Sequence, residues 1–482
     1  MIQVVASVLL SSFLKFLSHP NFIFKNGLFL LAWFYYIPFL FIIPKFSLKK
    51  SALAGFAYGF ISYFLFCFWL IRYDVFAALG VYSLFGVYWA IIFALLQFFS
   101  KTRKYAFIFN ILILFFAEFL FTKGYFAFGY GVSAYTQWKI PVLTRAVRYT
   151  KIWGLDFLII FFNCIVVANV SYVIKYRRFN FVQAGGALFF AVLFIQHIFI
   201  GFFVEETEPS STLKTVLIQN NADPRKDGIE QYKKEIESLK RLTDKALMQH
   251  PDIQIVVWPE TSVVVDVVSA FDKKLRFGRE DERSEMAIDL FDYINSKKCD
   301  FILGTSFKNY NSALLFSPIK PIVNSRQTVL PNWQVYKKNH LVPISEDFPL
   351  KGFFPEYYQQ SVISGRYWLE GEKMKLLKFR EILIGTPICF EDTFSEVGEK
   401  MAKMGAELFI SLSNDSWSYS RACQMQHLAA ASFCSMENGI PMIRSSNSGQ
   451  TCYIDGFGKV KKMINPFSEN FLYCEVEINK VK

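Results

Sequence analysis

Apolar positions fall along this chain in two different ways. Up to about Val204 they run together in long stretches, at about 2–18, 22–43, 51–71, 75–99, 104–121, 152–174 and 181–203. Each is near the roughly 20 residues that a helix needs to cross a bilayer. From about Ser210 onward the apolar runs shorten and alternate with charged stretches. Segments 213–219, 253–258, 301–306, 313–317, 333–336 and 408–412 read as strands, and 227–250 and 422–437 as helices. Strands alternating with helices predict an α/β domain, and closely paired strands late in the chain predict a mixed sheet. The pattern therefore divides the chain into a multi-pass α-helical membrane domain at 1–204, with about seven helices, and an α/β domain at 210–482.

Composition supports that division. The chain is 53% hydrophobic and 18% aromatic, with 55 Phe, which is too apolar for a soluble protein of this length. The net charge of +12 could suggest a nucleic-acid partner, but much of the excess sits in short loops between apolar runs. Lys45, Lys49 and Lys50 lie in one loop, Lys101, Arg103 and Lys104 in another, and Lys175, Arg177 and Arg178 in a third. The alternate short loops hold only Arg72, beside Asp74. Basic loops stay in the cytoplasm. This places the N-terminus inside and the α/β domain on the outer side of the membrane. The first run reads as a retained helix rather than a signal peptide, because no basic segment precedes it. The connection 122–151 is long, aromatic and basic, and is expected to be structured. Glu118 is an acid within an apolar run, either a functional group facing protein or a side chain reaching the headgroups.

The eight cysteines include no C-x-x-C pair and have no histidine cluster beside them. A metal site is not expected, and no cofactor is called for. Disulfides among the last six stay open for a domain outside the cytoplasm. Cys389 stands out. An apolar run, 381–388, ends at this residue, Glu391 and Asp392 follow at once, and a helix is expected from about 393 to 404. A thiol at a strand-to-helix turn is held rigidly and gains from a helix N-terminus. Two other strand ends carry polar groups that a plain core would not want: Glu260 after 253–258, and Lys338 before Leu341-Val342-Pro343. Acid, amine and thiol have a joint logic. The carboxylate takes the thiol proton, the thiolate attacks a carbonyl, and the ammonium stabilises the tetrahedral oxyanion.

Trp258-Pro259-Glu260-Thr261, Tyr336-Lys337-Lys338-Asn339-His340-Leu341-Val342-Pro343 and Pro387-Ile388-Cys389-Phe390-Glu391 resemble the Glu-Lys-Cys stretches of the nitrilase (carbon–nitrogen hydrolase) superfamily. Ser413-Asn414-Asp415-Ser416-Trp417 resembles its S-N-D-x-W segment. Upstream, Trp33 with Ile37-Pro38-Phe39-Leu40, Glu118, Phe128-Gly129-Tyr130, and Trp153-Gly154-Leu155 to Asn163 resemble the membrane half of the apolipoprotein N-acyltransferase family. The resemblance implies an αββα sandwich for the outer domain. It implies Glu260 as base, Lys338 as oxyanion stabiliser and Cys389 as nucleophile, supported by Glu346, Glu391 and Asn414. Phe390 stands where that family usually has Tyr. The implied reaction moves an acyl chain from a membrane phospholipid, through a Cys thioester, to the N-terminal amine of an apolipoprotein's diacylglyceryl cysteine, with the enzyme working as a monomer. Two other readings compete: a membrane-tethered amidase acting on a small amide, and a non-enzymatic scaffold with a vestigial triad. Between Lys338 and Cys389, the stretch 347–358 and the aromatics after it have neither helical nor alternating period and read as a loop. Phe348, Phe353, Phe354, Tyr357 and Trp368 either fold back onto the core or form a lid resting in the membrane interface, where lipid would enter.

Overall fold

The computed structural model describes residues 2–102, 105–178, 181–205, 209–278, 281–319 and 328–478. Arg103 and Lys104 of the second basic loop lie outside the described residues. The chain forms two compact units, one of residues 1–206 and 418–437, the other of 207–417 and 438–482.

The first unit is helical. Among the described residues three helices are long and apolar enough to cross a membrane: Val75–Ser100, Val147–Tyr176 and Ala184–Phe202. Ile2–Ser18 and Ala106–Phe121 are shorter apolar helices, and Leu48–Phe66 is a 19-residue helix. The expected continuous span at 22–43 is not one. It breaks into a 3-10 turn at Phe29–Trp33, one helical turn at Ile37–Leu40 and another 3-10 turn at Ile43–Lys45. Pro38 and Pro44 stand at the start of two of these pieces, where a ring without an N–H can begin a helix but not continue one. The connection 122–151 is structured as expected, with a 3-10 turn at Ser133–Gln137 and a helical turn at Pro141–Thr144.

Glu118 does not reach outward. It is buried, and one carboxylate oxygen accepts the Ser133 backbone N–H at 2.7 Å. The other accepts the Ser133, Tyr35 and Tyr36 hydroxyls. A carboxylate in an apolar unit needs such donors, and here they come from the broken segment and the following connection. The helix Arg421–Asn438 belongs, up to Glu437, to this unit. Its Gln426 amide donates to the Pro20 and Phe66 carbonyls and accepts from Trp69 Nε1 at 3.0 Å. Glu437 accepts the backbone N–H of Ile152 at 2.8 Å.

The second unit is built on two six-stranded sheets. In chain order its strands are β1 (Ser211–Gln219), β2 (Ile255–Val257), β3 (Asp300–Phe307), β4 (Tyr310–Ser317), β5 (Asn332–Lys337), β6 (Leu377–Phe379), β7 (Ile382–Gly385), β8 (Leu408–Ser413), β9 (Met442–Ser446), β10 (Cys452–Ile454), β11 (Val460–Met463) and β12 (Asn470–Ile478). The sheet orders are β12-β1-β2-β3-β4-β5 and β11-β10-β9-β8-β7-β6. Both are mixed: β1, β2 and β3 pair in parallel, as do β7, β8 and β9, and the outer pairs are antiparallel. The sheets face each other, and Ser445 Oγ on β9 donates to the Ile218 and Val257 carbonyls of β1 and β2. Helices Ile229–Gln249, Val267–Phe277 and Glu282–Asn295 cover the outer face of the first sheet through Leu239, Phe271, Leu290 and Phe291. Ser395–Lys403 lies on the second, with Met401 against β7. The layering is the expected α/β sandwich. All eight cysteines are described, and none forms a disulfide.

Candidate active site

β7 ends at Gly385, and Ile388 stays extended enough to bridge Leu412 of β8. Cys389 then turns the chain with φ 51°, a left-handed conformation that costs a non-glycine residue about 1–3 kcal/mol. It opens a 3-10 turn, Cys389–Thr393, and the α-helix begins only at Ser395. The helix expected from about 393 to 404 forms at Ser395–Lys403, and the thiol opens the strained 3-10 turn that leads into it.

Two acids fix that turn. Glu391 accepts backbone N–H groups from Ile388 at 2.8 Å, Asn339 at 2.7 Å and His340 at 3.0 Å, and the Tyr336 hydroxyl at 2.9 Å. It thus ties the Cys389 turn to the segment that carries Lys338. Burial pushes its carboxyl up to about 7, against the pull of those donors and of Lys338. Asp392 accepts Ser411 Oγ at 2.7 Å and Arg444 Nε at 3.0 Å, which binds the turn to β8 and β9.

Glu260 follows β2 on a turn whose next residue, Thr261, has φ 48°. β3 passes so close beneath it that a Cβ on Gly304 would lie 2.5 Å from Glu260 Cα. Only glycine allows that approach. Lys338 follows β5 and is fully buried, its Nζ 2.8 Å from Glu346 Oε1 and 3.3 Å from Glu260 Oε1. Asn311 on β4 donates to the same oxygens of Glu260 and Glu346, at 2.8 and 3.2 Å. Cys389 hydrogen-bonds the Glu260 carboxylate, and the backbone N–H of Asn414 hydrogen-bonds its sulfur. Glu260, Lys338 and Cys389 thus meet at the ends of three strands. Lys337, its neighbour in the chain, instead lies over the Tyr310 ring.

Electrostatics set the resting protonation. Burial raises the Cys389 thiol well above its ordinary value and Glu260 adds to this, while Lys338 and the Asn414 N–H oppose it. Burial likewise raises Glu260, with Lys338 pulling it down and Glu346 pushing it up. Burial works to lower Lys338, but Glu346, Glu260 and Cys389 outweigh it and hold the ammonium above the ordinary lysine range. A thiol hydrogen-bonded to a carboxyl group beside a buried ammonium is an arrangement that can pass a proton and stabilise an oxyanion.

Phe390 is buried between His340 and Phe394, 4.8 Å from the latter's ring centroid. Asn414 Oδ1 accepts the Ser416 N–H at 3.3 Å and Asn447 Nδ2 at 3.4 Å. The stretch read as a loop holds a helix, Pro355–Ile363, started by Pro355 at its first position. Phe353 and Phe354 do not fold back onto the core, being 82% and 54% exposed. Tyr357 is also exposed, and Phe348 and Trp368 are half-buried. Sequence reasoning missed Asn311, Tyr336 and Arg444. The only signal for Asn311 was a polar residue opening an otherwise apolar strand.

Comparison with known proteins follows the same division. Residues 224–482 match the carbon–nitrogen hydrolase family, and 11–165 match the apolipoprotein N-acyltransferase N-terminal domain. The chain is 32% identical to apolipoprotein N-acyltransferase 1 of Treponema denticola, over 96% of this chain and 88% of that protein. It is 27% identical to apolipoprotein N-acyltransferase of Borreliella burgdorferi, over 97% and 89% respectively. A carbon–nitrogen hydrolase from Helicobacter pylori G27 aligns with 55% of this chain and 89% of its own, at 19% identity and a TM-score of 0.39. The chain belongs to the apolipoprotein N-acyltransferase family, a helical membrane region joined to a carbon–nitrogen hydrolase domain.

Proposed function

We propose that this protein transfers an acyl chain from a membrane phospholipid to the N-terminal amine of the diacylglyceryl cysteine of apolipoproteins, through a thioester on Cys389. The observation that carries the reading is the meeting of Cys389, Glu260 and Lys338, each at a strand end, with Lys338 bonded to both Glu260 and Glu346. Glu260 takes the thiol proton as sulfur attacks the ester carbonyl. The tetrahedral oxyanion forms beside the Lys338 ammonium, the C–O bond breaks, and the proton passes to the departing lysophospholipid alkoxide. In the second half the acceptor amine attacks the thioester, the C–S bond breaks, and the proton lost by the amine returns through Glu260 to the Cys389 thiolate. Glu391, Asn414 and Phe390 hold the nucleophile's turn, and Glu346 holds Lys338.

The exposed Leu350, Phe353, Phe354, Tyr357 and Ile363 favour a lipid donor over a small soluble amide, because so apolar a surface is unfavourable in water. We read these residues, with Phe348 and Trp368, as a lid over the lipid entry. The basic residues Lys45, Lys49, Lys50, Lys101, Lys175 and Arg177, near helix ends, support a catalytic domain outside the cytoplasm. The test is incubation of the purified protein with a phospholipid carrying an isotope-labelled acyl chain and a synthetic diacylglyceryl-cysteine peptide. The expected product is the N-acylated peptide together with lysophospholipid. Release of free fatty acid alone, or rapid hydrolysis of small amides, would favour the amidase reading.

A further inference from the structure

Arg444 lies on β9, is fully buried, and makes one ion pair, Nε to Asp392 Oδ2 at 3.0 Å, with neither side chain exposed. Asp392 is the third residue after Cys389 and belongs to the same 3-10 turn. Its Oδ2 also accepts Ser411 Oγ from β8 at 2.7 Å. The turn that holds Cys389 at φ 51° is thus tied to β8 and β9 through Asp392, whose carboxylate pairs with the Arg444 guanidinium. Among the described residues Arg444 Nη1 and Nη2 have no hydrogen-bond partner. Asp415, next to Asn414, and Cys389 itself are also close enough to interact electrostatically with this guanidinium.

We propose that Arg444 is a positioning residue for the nucleophile: through Asp392 it holds the strained Cys389 turn so that sulfur meets Glu260 and Lys338. This extends the acyl-transfer reading, which rests on the same three residues. Small displacements of a nucleophile are expensive, of the order of a hundredfold in rate for about 1 Å. Removing Arg444 therefore slows the first chemical step far more than it weakens donor binding.

The experiment uses the full chain in lipid nanodiscs, with Arg444→Gln, Arg444→Lys and the double variant Asp392→Asn/Arg444→Gln. Three quantities are measured: the thermal midpoint, the rate at which iodoacetamide alkylates Cys389, and the single-turnover rate and half-saturating donor concentration for acylation by phospholipid. Arg444→Gln leaves Asp392 buried without its cation and can fail to fold. The double variant removes both charges and keeps the fold. The expected result is a double variant with a midpoint near that of the parent, alkylation and acylation slower by about ten- to a hundredfold, and an unchanged half-saturating concentration. Arg444→Lys, which keeps a cation within reach of Asp392, is expected to recover part of the rate. A folded double variant that alkylates and acylates at the parent rate overturns the proposal. Alkylation needs no lipid, so a parent protein that is alkylated normally but never acylated refutes the phospholipid reading and leaves the role of Arg444 to be judged on the alkylation rates.

Discussion

Two adjacent lysines face different chemistry. Lys338 is buried between Glu260 and Glu346, whereas Lys337 rests on the Tyr310 ring. Lys338→Ala is expected to lower kcat for acyl transfer by an amount worth about 2.7–4 kcal/mol, the usual loss of one oxyanion donor. Lys337→Ala is expected to change it little. Side-by-side assays of the two variants check this, and equal losses would mean that the ammonium at the oxyanion was assigned to the wrong residue. The cluster of Glu260, Lys338 and Cys389 could be read in the sequence because Glu260 and Cys389 end apolar runs and Lys338 precedes one, where a polar side chain has no packing reason to be. Asn311, Tyr336 and Arg444 could not. Each acts on a group 50 or more residues away, Asn311 on Glu260, Tyr336 on Glu391 and Arg444 on Asp392. Such pairings exist only once the strands have been ordered in their sheets.

The segment before Cys389 shows which elements a hydrophobic pattern can hide. Pro355 starts a helix in a stretch without apolar periodicity, since only Ser361 and Val362 of its nine residues are buried. A helix that presents most of its sides to its surroundings has no stripe to detect. The apolar run at 22–43 is the opposite case, continuous in hydrophobicity yet broken in backbone by Pro38 and Pro44. Exposure of Phe353 and Phe354 gives a direct test of the lid. Phe353→Ser with Phe354→Ser removes no core contact, so stability is expected to stay within about 0.5 kcal/mol. Acylation of Cys389 by phospholipid is expected to slow, while acylation by a short water-soluble ester proceeds at the parent rate. Equal slowing with both donors would show that the pair supports the site itself rather than lipid entry.

For the whole molecule, the division of the sequence into an apolar half and an α/β half anticipated the fold class, because burial in lipid and burial in a sheet leave different spacings. It did not anticipate that 418–437, far along the α/β half, belongs to the helical unit. All 18 residues of the helix Arg421–Asn438 but its two ends are buried, and a helix buried all round carries no amphipathic signal. Orientation is open to test in intact cells. With Cys389→Ala as background the other seven cysteines are buried. Lys49→Cys and Lys101→Cys are then expected to be shielded from an impermeant thiol reagent, and Lys245→Cys to react once the outer membrane is permeabilised. Labelling at the first two would place the catalytic domain in the cytoplasm.

The central claim is that Cys389 carries an acyl group in transit. Intact-mass analysis of the protein purified from membranes without added acceptor tests it most directly. The expected result is a fraction of molecules heavier by one fatty acyl group, lost on treatment with neutral hydroxylamine and absent from Cys389→Ala. Cys389→Ser is expected to carry little or none, because a carboxylate base deprotonates a hydroxyl far less readily than a thiol. A Cys389→Ala variant that still transfers acyl chains, or an adduct that resists hydroxylamine and maps to another residue, would contradict it.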